Sequence, residues 1–227
     1  LASRTMHGMA ASMTNTGFVA LPVLQAIYGP RTVLPAAIAT VFVAVVMFPI
    51  AVILLEMSQR DAHGSRTGPM VTMKHVVLNP LVISALIGML WSVLNIRMPG
   101  PLTAYFGILA DALTPCALFA IGLGLSMTGL RANVGRASVL SIVKLVIMPL
   151  IVYVLCVLLH LDPLYTIAAV ICAAVPTAKT VYILAGEYHC EETMVASTVS
   201  MTTLISVISL VVWLYALSGL ATQIVAR

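Results

Sequence analysis

Residues 173–180 read Ala173-Ala174-Val175-Pro176-Thr177-Ala178-Lys179-Thr180, and they interrupt an apolar run that extends from about 164 to 186. The proline lacks an amide donor and its ring clashes with the carbonyl of Cys172, four positions back, so a helix here has to break. Around this break the chain is apolar almost throughout. Of its 227 residues 61% are hydrophobic and 8% are charged, where a soluble domain carries about 25% charged residues. An ordinary water-soluble globule is excluded. Apolar runs of about 20 residues, the length that crosses a bilayer core of roughly 30 Å, recur seven times, at about 8–28, 32–55, 77–96, 102–127, 138–159, 164–186 and 194–217. The expected fold class is an all-α membrane protein, a polytopic bundle of seven spans, because this much backbone is satisfied in lipid only by helices or closed barrels.

The longest polar stretch, Glu56 to Pro69, is rich in Gly, Ser and charge and reads as a linker over 56–76 between residues 1–55 and 77–227. If the spans alternate, Arg4, Arg60, Arg66, Lys74, Arg131 and Arg136 share one side, and Arg31, Arg97 and Arg227 the other. That bias makes the first side cytoplasmic. The turn Glu187-Tyr188-His189-Cys190-Glu191-Glu192 lies on the same side and reads as a solvated cap, since adjacent positions of a short turn do not converge on one metal ion. No metal and no cofactor is expected. Cys116, Cys156, Cys172 and Cys190 are isolated and read as thiols packed like small apolar side chains. The net charge of +4 is too dispersed for a nucleic-acid face.

Laid against itself at an offset of 160, the sequence superposes Gly17–Tyr28 on Thr177–Tyr188, then Ala36–Thr40 on Ala196–Ser200. Each unit has a helix-breaking feature, a Tyr at a turn and a long uninterrupted span. In the first unit Asn15, Thr16 and Gly17, with Pro22 further on, stand where Pro176 stands in the second. The units start on opposite sides of the membrane and are therefore inverted, the pattern that points to a secondary transporter. A broken helix exposes amide donors at the start of its second half, and the dipole there favours negative charge. Two such breaks meeting near the midplane, with Lys179 three residues past Pro176, suit a carboxylate. The residues expected to hold it are Asn15, Thr16, Val175, Pro176, Thr177, Lys179 and Thr180.

Charges inside spans cost roughly 2.5–3.5 kcal/mol each even on the lenient insertion scale, so each needs a partner or a function. Asp111 lies near the middle of its span, where it could carry a proton, bridge two helices, or cap a break near Pro115. Lys144 lies close enough to a span end for its stem to snorkel, or it serves as a proton or ion-pair site. Lys179 serves the anion or pairs with Asp111. Pro49, Pro115 and Pro149 read as packing kinks.

Asn15-Thr16-Gly17-Phe18-Val19-Ala20-Leu21-Pro22-Val23-Leu24-Gln25-Ala26-Ile27-Tyr28-Gly29 resembles the fourth helix of the auxin efflux carrier family, which includes plant carriers and bacterial malonate-type permeases. Ala173–Tyr188 resembles the family's ninth helix, and Leu109–Leu123, with Asp111 and Pro115, its seventh. The resemblance implies ten helices in two inverted sets of five, of which this chain supplies the fourth to the tenth. Residues 1–55 are then the last two helices of the first set and 77–227 the second set. Leu1-Ala2-Ser3-Arg4 stands directly before a span with no initiator methionine, so the true start is expected upstream. The implied mechanism is an elevator, with 77–127 as scaffold and 138–227 in the moving part. Asn15 and Pro176 fall at the crossover, and Thr180 stands where bacterial relatives often have Asn. The implied partners are a small organic anion, membrane lipid and a second copy of the chain, and the implied location is a bacterial inner membrane.

Three other functions compete. A retinal photoreceptor fits seven spans with a buried lysine, but aromatic residues make up only 6% of the chain and Lys179 is in the sixth span. A membrane hydrolase needs a nucleophile with a base, or His ligands to a metal; His7, His63, His75, His160 and His189 all lie at span ends or in loops. An enzyme is not expected. A sensor or partner protein that keeps a carrier fold without transporting is the remaining alternative.

Overall fold

The computed structural model describes residues 1–63, 97–123 and 133–220, with seven further positions between 83 and 94. Most of the expected third span at 77–96 and the 64–76 part of the linker lie outside the described residues. Helix α1 (Ala2–Ser12) and α2 (Leu21–Tyr28), the latter entered through a wide π turn at Thr16–Ala20, are two halves of the first expected span. After a short turn at Pro30–Thr32, α3 (Val33–Phe42) continues through a π turn at Val43–Met47 into α4 (Phe48–His63), which outlasts the expected span end at 55. Helix α5 covers Gly100–Leu123. Helices α6 (Val134–Ile142) and α7 (Met148–Leu158) are joined by a third π turn, Val143–Ile147. Helices α8 (Pro163–Ala174) and α9 (Thr180–Glu187) halve the sixth expected span, and α10 (Glu192–Ala216) is continuous.

The protein is an integral membrane protein by this architecture. Among the described residues, three helical stretches are long and apolar enough to cross a bilayer: Pro30–Leu55, Val134–Leu158 and Glu192–Ala216. At 1.5 Å per residue each is about 38 Å long, more than the roughly 30 Å hydrocarbon core.

The prolines account for the π turns. Each π turn ends two residues before a proline: Pro22, Pro49 and Pro149 follow the turns closing at Ala20, Met47 and Ile147. A proline inside a helix withholds one donor and crowds the carbonyl four residues back; widening the helix relieves the clash and leaves that carbonyl open. At Pro149 the open carbonyl is that of Leu145, and it is filled from α10. Trp213 Nε1 donates to it at 2.9 Å and Ser209 Oγ at 3.2 Å. Pro149 is therefore more than a packing kink, and it helps fix how α6–α7 sit on α10.

Two buried apolar clusters hold the helices together. One gathers Met6, Met9 and Met13 of the first segment, Val52 and Leu55 of α4, Val181 and Leu184 of α9, and Met194 and Val195 of α10. The other gathers Val19, Leu24 and Ala36 with Ile167, Val170 and Ile171 of α8 and Leu210 and Leu217. Each cluster thus takes one half of each broken helix, and the breaks lie between them. At one end of the bundle Glu191 ties three segments: Ser3 Oγ donates to its Oε1 at 2.7 Å, and Arg136 lies 3.9 Å from its Oε2. The acidic turn is a joint as well as a solvated cap.

Two glycines give opposite expectations. Gly29 ends α2 at φ +77° and ψ −170°, a region that side chains avoid. Gly186 lies within α9, and a Cβ there would meet nothing within 4 Å. Thermal unfolding in detergent is expected to register Gly29→Ala as destabilising by about 2 kcal/mol and Gly186→Ala as stabilising by up to about 1 kcal/mol.

Candidate functional site at a helix crossing

The second break follows directly from its proline. Val175 precedes Pro176 and is driven from the helical to the extended region, at φ −69° and ψ 157°. In the first segment Met13 leaves the helix at φ −71° and ψ 120°, and Asn15 stands at φ −84° and ψ 62°. There is no proline here; Thr14, Asn15 and Thr16 are residues whose side chains compete with helical hydrogen bonding. The two extended stretches meet. Thr14 and Thr177 form an isolated antiparallel bridge, in which Asn15 N donates to Pro176 O at 3.0 Å and Ala178 N to Met13 O at 3.1 Å.

These two bonds are the reciprocal pair that an antiparallel bridge makes. The bridge joins positions 163 apart, three more than the offset of the sequence overlay. The second break is the longer, running from Val175 to Lys179 against Met13 to Asn15 in the first. The half-helix after it is the shorter, Thr180–Glu187 against Thr16–Tyr28, which returns Tyr28 and Tyr188 to an offset of 160.

Breaking two helices orphans carbonyls, and their partners can be traced. Ala10 O, at the end of α1, accepts the Thr177 hydroxyl at 2.7 Å, a bond across 167 residues of chain. Ala173 O, at the end of α8, would accept from Thr177 N in an unbroken helix. That amide turns instead to Thr202 Oγ1 at 3.3 Å. Lys144 Nζ takes its place, donating to Ala173 O at 2.6 Å. Lys144 is completely buried, which corrects the expected snorkelling: the π turn that Pro149 imposes carries Lys144, and its ammonium sits against the negative end of a half-helix.

Beside the crossing is a cavity of about 100 Å³. Met13 to Phe18 line it from the first break, Thr40, Val43, Ala44 and Phe48 from the α3–α4 segment, and Ala178 and Thr180 from the second break. Of the expected site residues, Asn15, Thr16 and Thr180 reach this cavity. Val175, Pro176 and Thr177 are buried in the crossing itself, with Val175 and Thr177 at 0% and 1% exposure. Lys179 is half-buried at the start of α9 and is not part of the lining. The Asp111 side chain, and with it the expected pair with Lys179, lies outside the described residues; its backbone is within α5. Thr14 and Phe48 were missed. Thr14 belongs to the polar triplet with Asn15 and Thr16, a signal that was present, whereas Phe48 reaches the site only through the π turn before it.

The N-terminal residues of the second half-helix give the cavity its chemistry. Thr16, Gly17 and Phe18 have no carbonyl one turn back within their own helix, so their amides are among those a helix start leaves to other acceptors. Asn15 is 8% exposed and its side chain makes no capping bond to these amides. Helix α5 packs against the same turn. Amide donors at a helix start, a carboxamide and the hydroxyl residues Thr14, Thr16, Thr40 and Thr180 fit a small acceptor-rich ligand, and the volume is well below the roughly 300–1,000 Å³ of a drug-sized pocket.

Residues 2–214 match the model of the family described as membrane transport protein. The chain belongs to this family, that of the auxin efflux carriers and malonate-type permeases. It is 28% identical over 220 residues to a protein of Rhizobium meliloti named "Putative malonate transporter", covering 95% of this chain and 68% of that one. A protein of Escherichia coli named "Uncharacterized transporter YfdV" is 23% identical over 94% of the chain and 68% of its own length. Auxin efflux carrier component 2 of Oryza sativa is 26% identical over 65% of the chain and 24% of its own length. The chain thus spans about two thirds of the length of the first two of these proteins. The family resemblance read from three helix motifs holds, and the relatives' names are those of transporters.

Proposed function

We propose that the chain carries the anion-holding part of a secondary transporter, an efflux carrier or permease that moves a small organic anion, a carboxylate, by elevator-like alternating access. One observation carries the reading: where two broken helices cross, Asn15 and the first residues of a half-helix line a cavity sized for a few heavy atoms. Helix starts favour negative charge, and they do so without bringing a permanent charge into the bilayer. In this reading Asn15, Thr16 and Thr180 face the anion, Pro176, Val175 and Thr177 hold the crossing, and Lys179 supplies positive potential at the start of α9. Lys144 and Asp111 are the candidate proton or ion-pair groups.

The seven-span inverted arrangement belongs to the same proposal. The meeting of the two breaks at the bridge and the division of each broken helix between two clusters support it. Helix α5 and the 77–96 segment serve as scaffold, and the remaining helices move. The membrane is a bacterial inner membrane, and a second copy of the chain is the expected partner.

Malonate is the first probe, because a relative carries its name. Purified chain in nanodiscs is expected to bind radiolabelled malonate or another two- to four-carbon acid saturably, and binding of none of them would contradict the reading. Lys179→Ala is expected to weaken that binding about 10-fold, the loss of roughly 1.4 kcal/mol of favourable potential, with Lys179→Arg close to wild type. Saturable binding without uptake into proteoliposomes would select instead a sensor or partner protein that keeps the carrier fold without transporting.

A further inference from the structure

Ala10 and Ala173, near the ends of α1 and α8, each stand four residues before a bridge residue, Thr14 and Thr177. Their caps do not correspond. Thr177 is 1% exposed and reaches across to Ala10 O. The matching bond would run from the Thr14 hydroxyl to Ala173 O, but Lys144 Nζ already occupies that carbonyl at 2.6 Å. Among the described residues the Thr14 hydroxyl makes no hydrogen bond, and Thr14 lines the cavity next to Asn15.

Building on the carrier reading, we propose that Thr14 is an additional ligand-binding hydroxyl, and that Lys144 is the positioning residue that makes it available by taking the carbonyl Thr14 would otherwise cap. A hydroxyl donates to a carboxylate and is lost without change of volume when Thr becomes Val, so the proposal separates from packing. Residues 170–178 are all buried and Thr177 has its hydroxyl committed to Ala10 O, whereas Thr14 lines the cavity.

The test is a double-mutant cycle on the full chain in nanodiscs, read as malonate affinity. Thr14→Val is expected to weaken binding about 10-fold, the size of one hydrogen bond to a charged acceptor, with Thr14→Ser near wild type. Lys144→Met is expected to cause a similar loss, because Thr14 then turns to Ala173 O, and Thr14→Val added to Lys144→Met should cost nothing more. Additive losses, or no loss in Thr14→Val, would overturn the proposal. A second readout needs no ligand. By site-resolved mass spectrometry, which separates these positions from the native Cys116 and Cys190, Thr14→Cys should react with a small methanethiosulfonate reagent and Thr177→Cys should not, with the Thr14→Cys reaction suppressed when Lys144→Met is added. Equal reactivity at both positions would refute the asymmetry, whereas a wild-type chain that binds no small acid but labels as described would sink the carrier reading alone.

Discussion

Asn15→Asp is expected to abolish binding of a small carboxylate while leaving the fold intact. The backbone of Asn15 does structural work: its amide donates to Pro176 O, and its carbonyl accepts from Val19 N at 3.1 Å and Ala20 N at 3.4 Å. Those bonds survive the exchange of one side-chain group for an isostere. The carboxamide lines the cavity and makes no cap bond to its own helix. An Asp there sets a like charge within contact of the bound anion, at a cost of about 4 kcal/mol at 4 Å with an effective dielectric near 20, or roughly 1,000-fold in affinity. Asn15→Ala removes only a donor and is expected to cost about 1.5–3 kcal/mol, or roughly 10- to 150-fold. Malonate binding and thermal midpoints together check this; unchanged affinity in Asn15→Asp at an unchanged midpoint would remove Asn15 from the site.

The largest stability effect is expected at Lys144. Its side chain is fully buried and its ammonium meets a carbonyl that the break in α8–α9 has left without its helical donor. Lys144→Ala empties the space of a four-carbon stem and leaves Ala173 O to the weaker, uncharged Thr14 hydroxyl. The cost is about 2–5 kcal/mol, most of it from the unfilled cavity. Lys144→Met keeps most of the volume and removes a buried charge that is itself expensive, so its cost should be under half of that. Chemical or thermal unfolding in detergent distinguishes the two, and equal midpoints for wild type and Lys144→Ala would contradict the assigned role.

What could be read from residue order was the crossing; what could not was how its bonds are distributed. Pro176 dictates a break by covalent chemistry, and the polar triplet at 14–16 marks another, so both interruptions were legible. Among the described residues, helix starts and ends follow to within a few residues, except that α1 begins at Ala2 and α4 runs to His63. Pro49 and Pro149 were visible too, yet their consequence was not. A proline can kink a helix, end it or widen it, and only the packing of α10 against Leu145 O selects the last. Lys144 was misread for the same reason. Its distance from a span end allows snorkelling, but the orphaned carbonyl of Ala173 comes from an element 29 residues away. Thr177, counted with the ligand-facing residues, has its hydroxyl committed to Ala10 O, a contact across chain that no local pattern encodes.

Crystals of the chain grown with bromomalonate and measured at the bromine absorption edge test most directly whether an anion is held where the two broken helices cross. The predicted result is one anomalous peak per chain in the cavity beside Asn15, with carboxylate oxygens within about 3.2 Å of the amides of Thr16, Gly17 or Phe18. A fully occupied peak elsewhere, with that cavity empty, would contradict it.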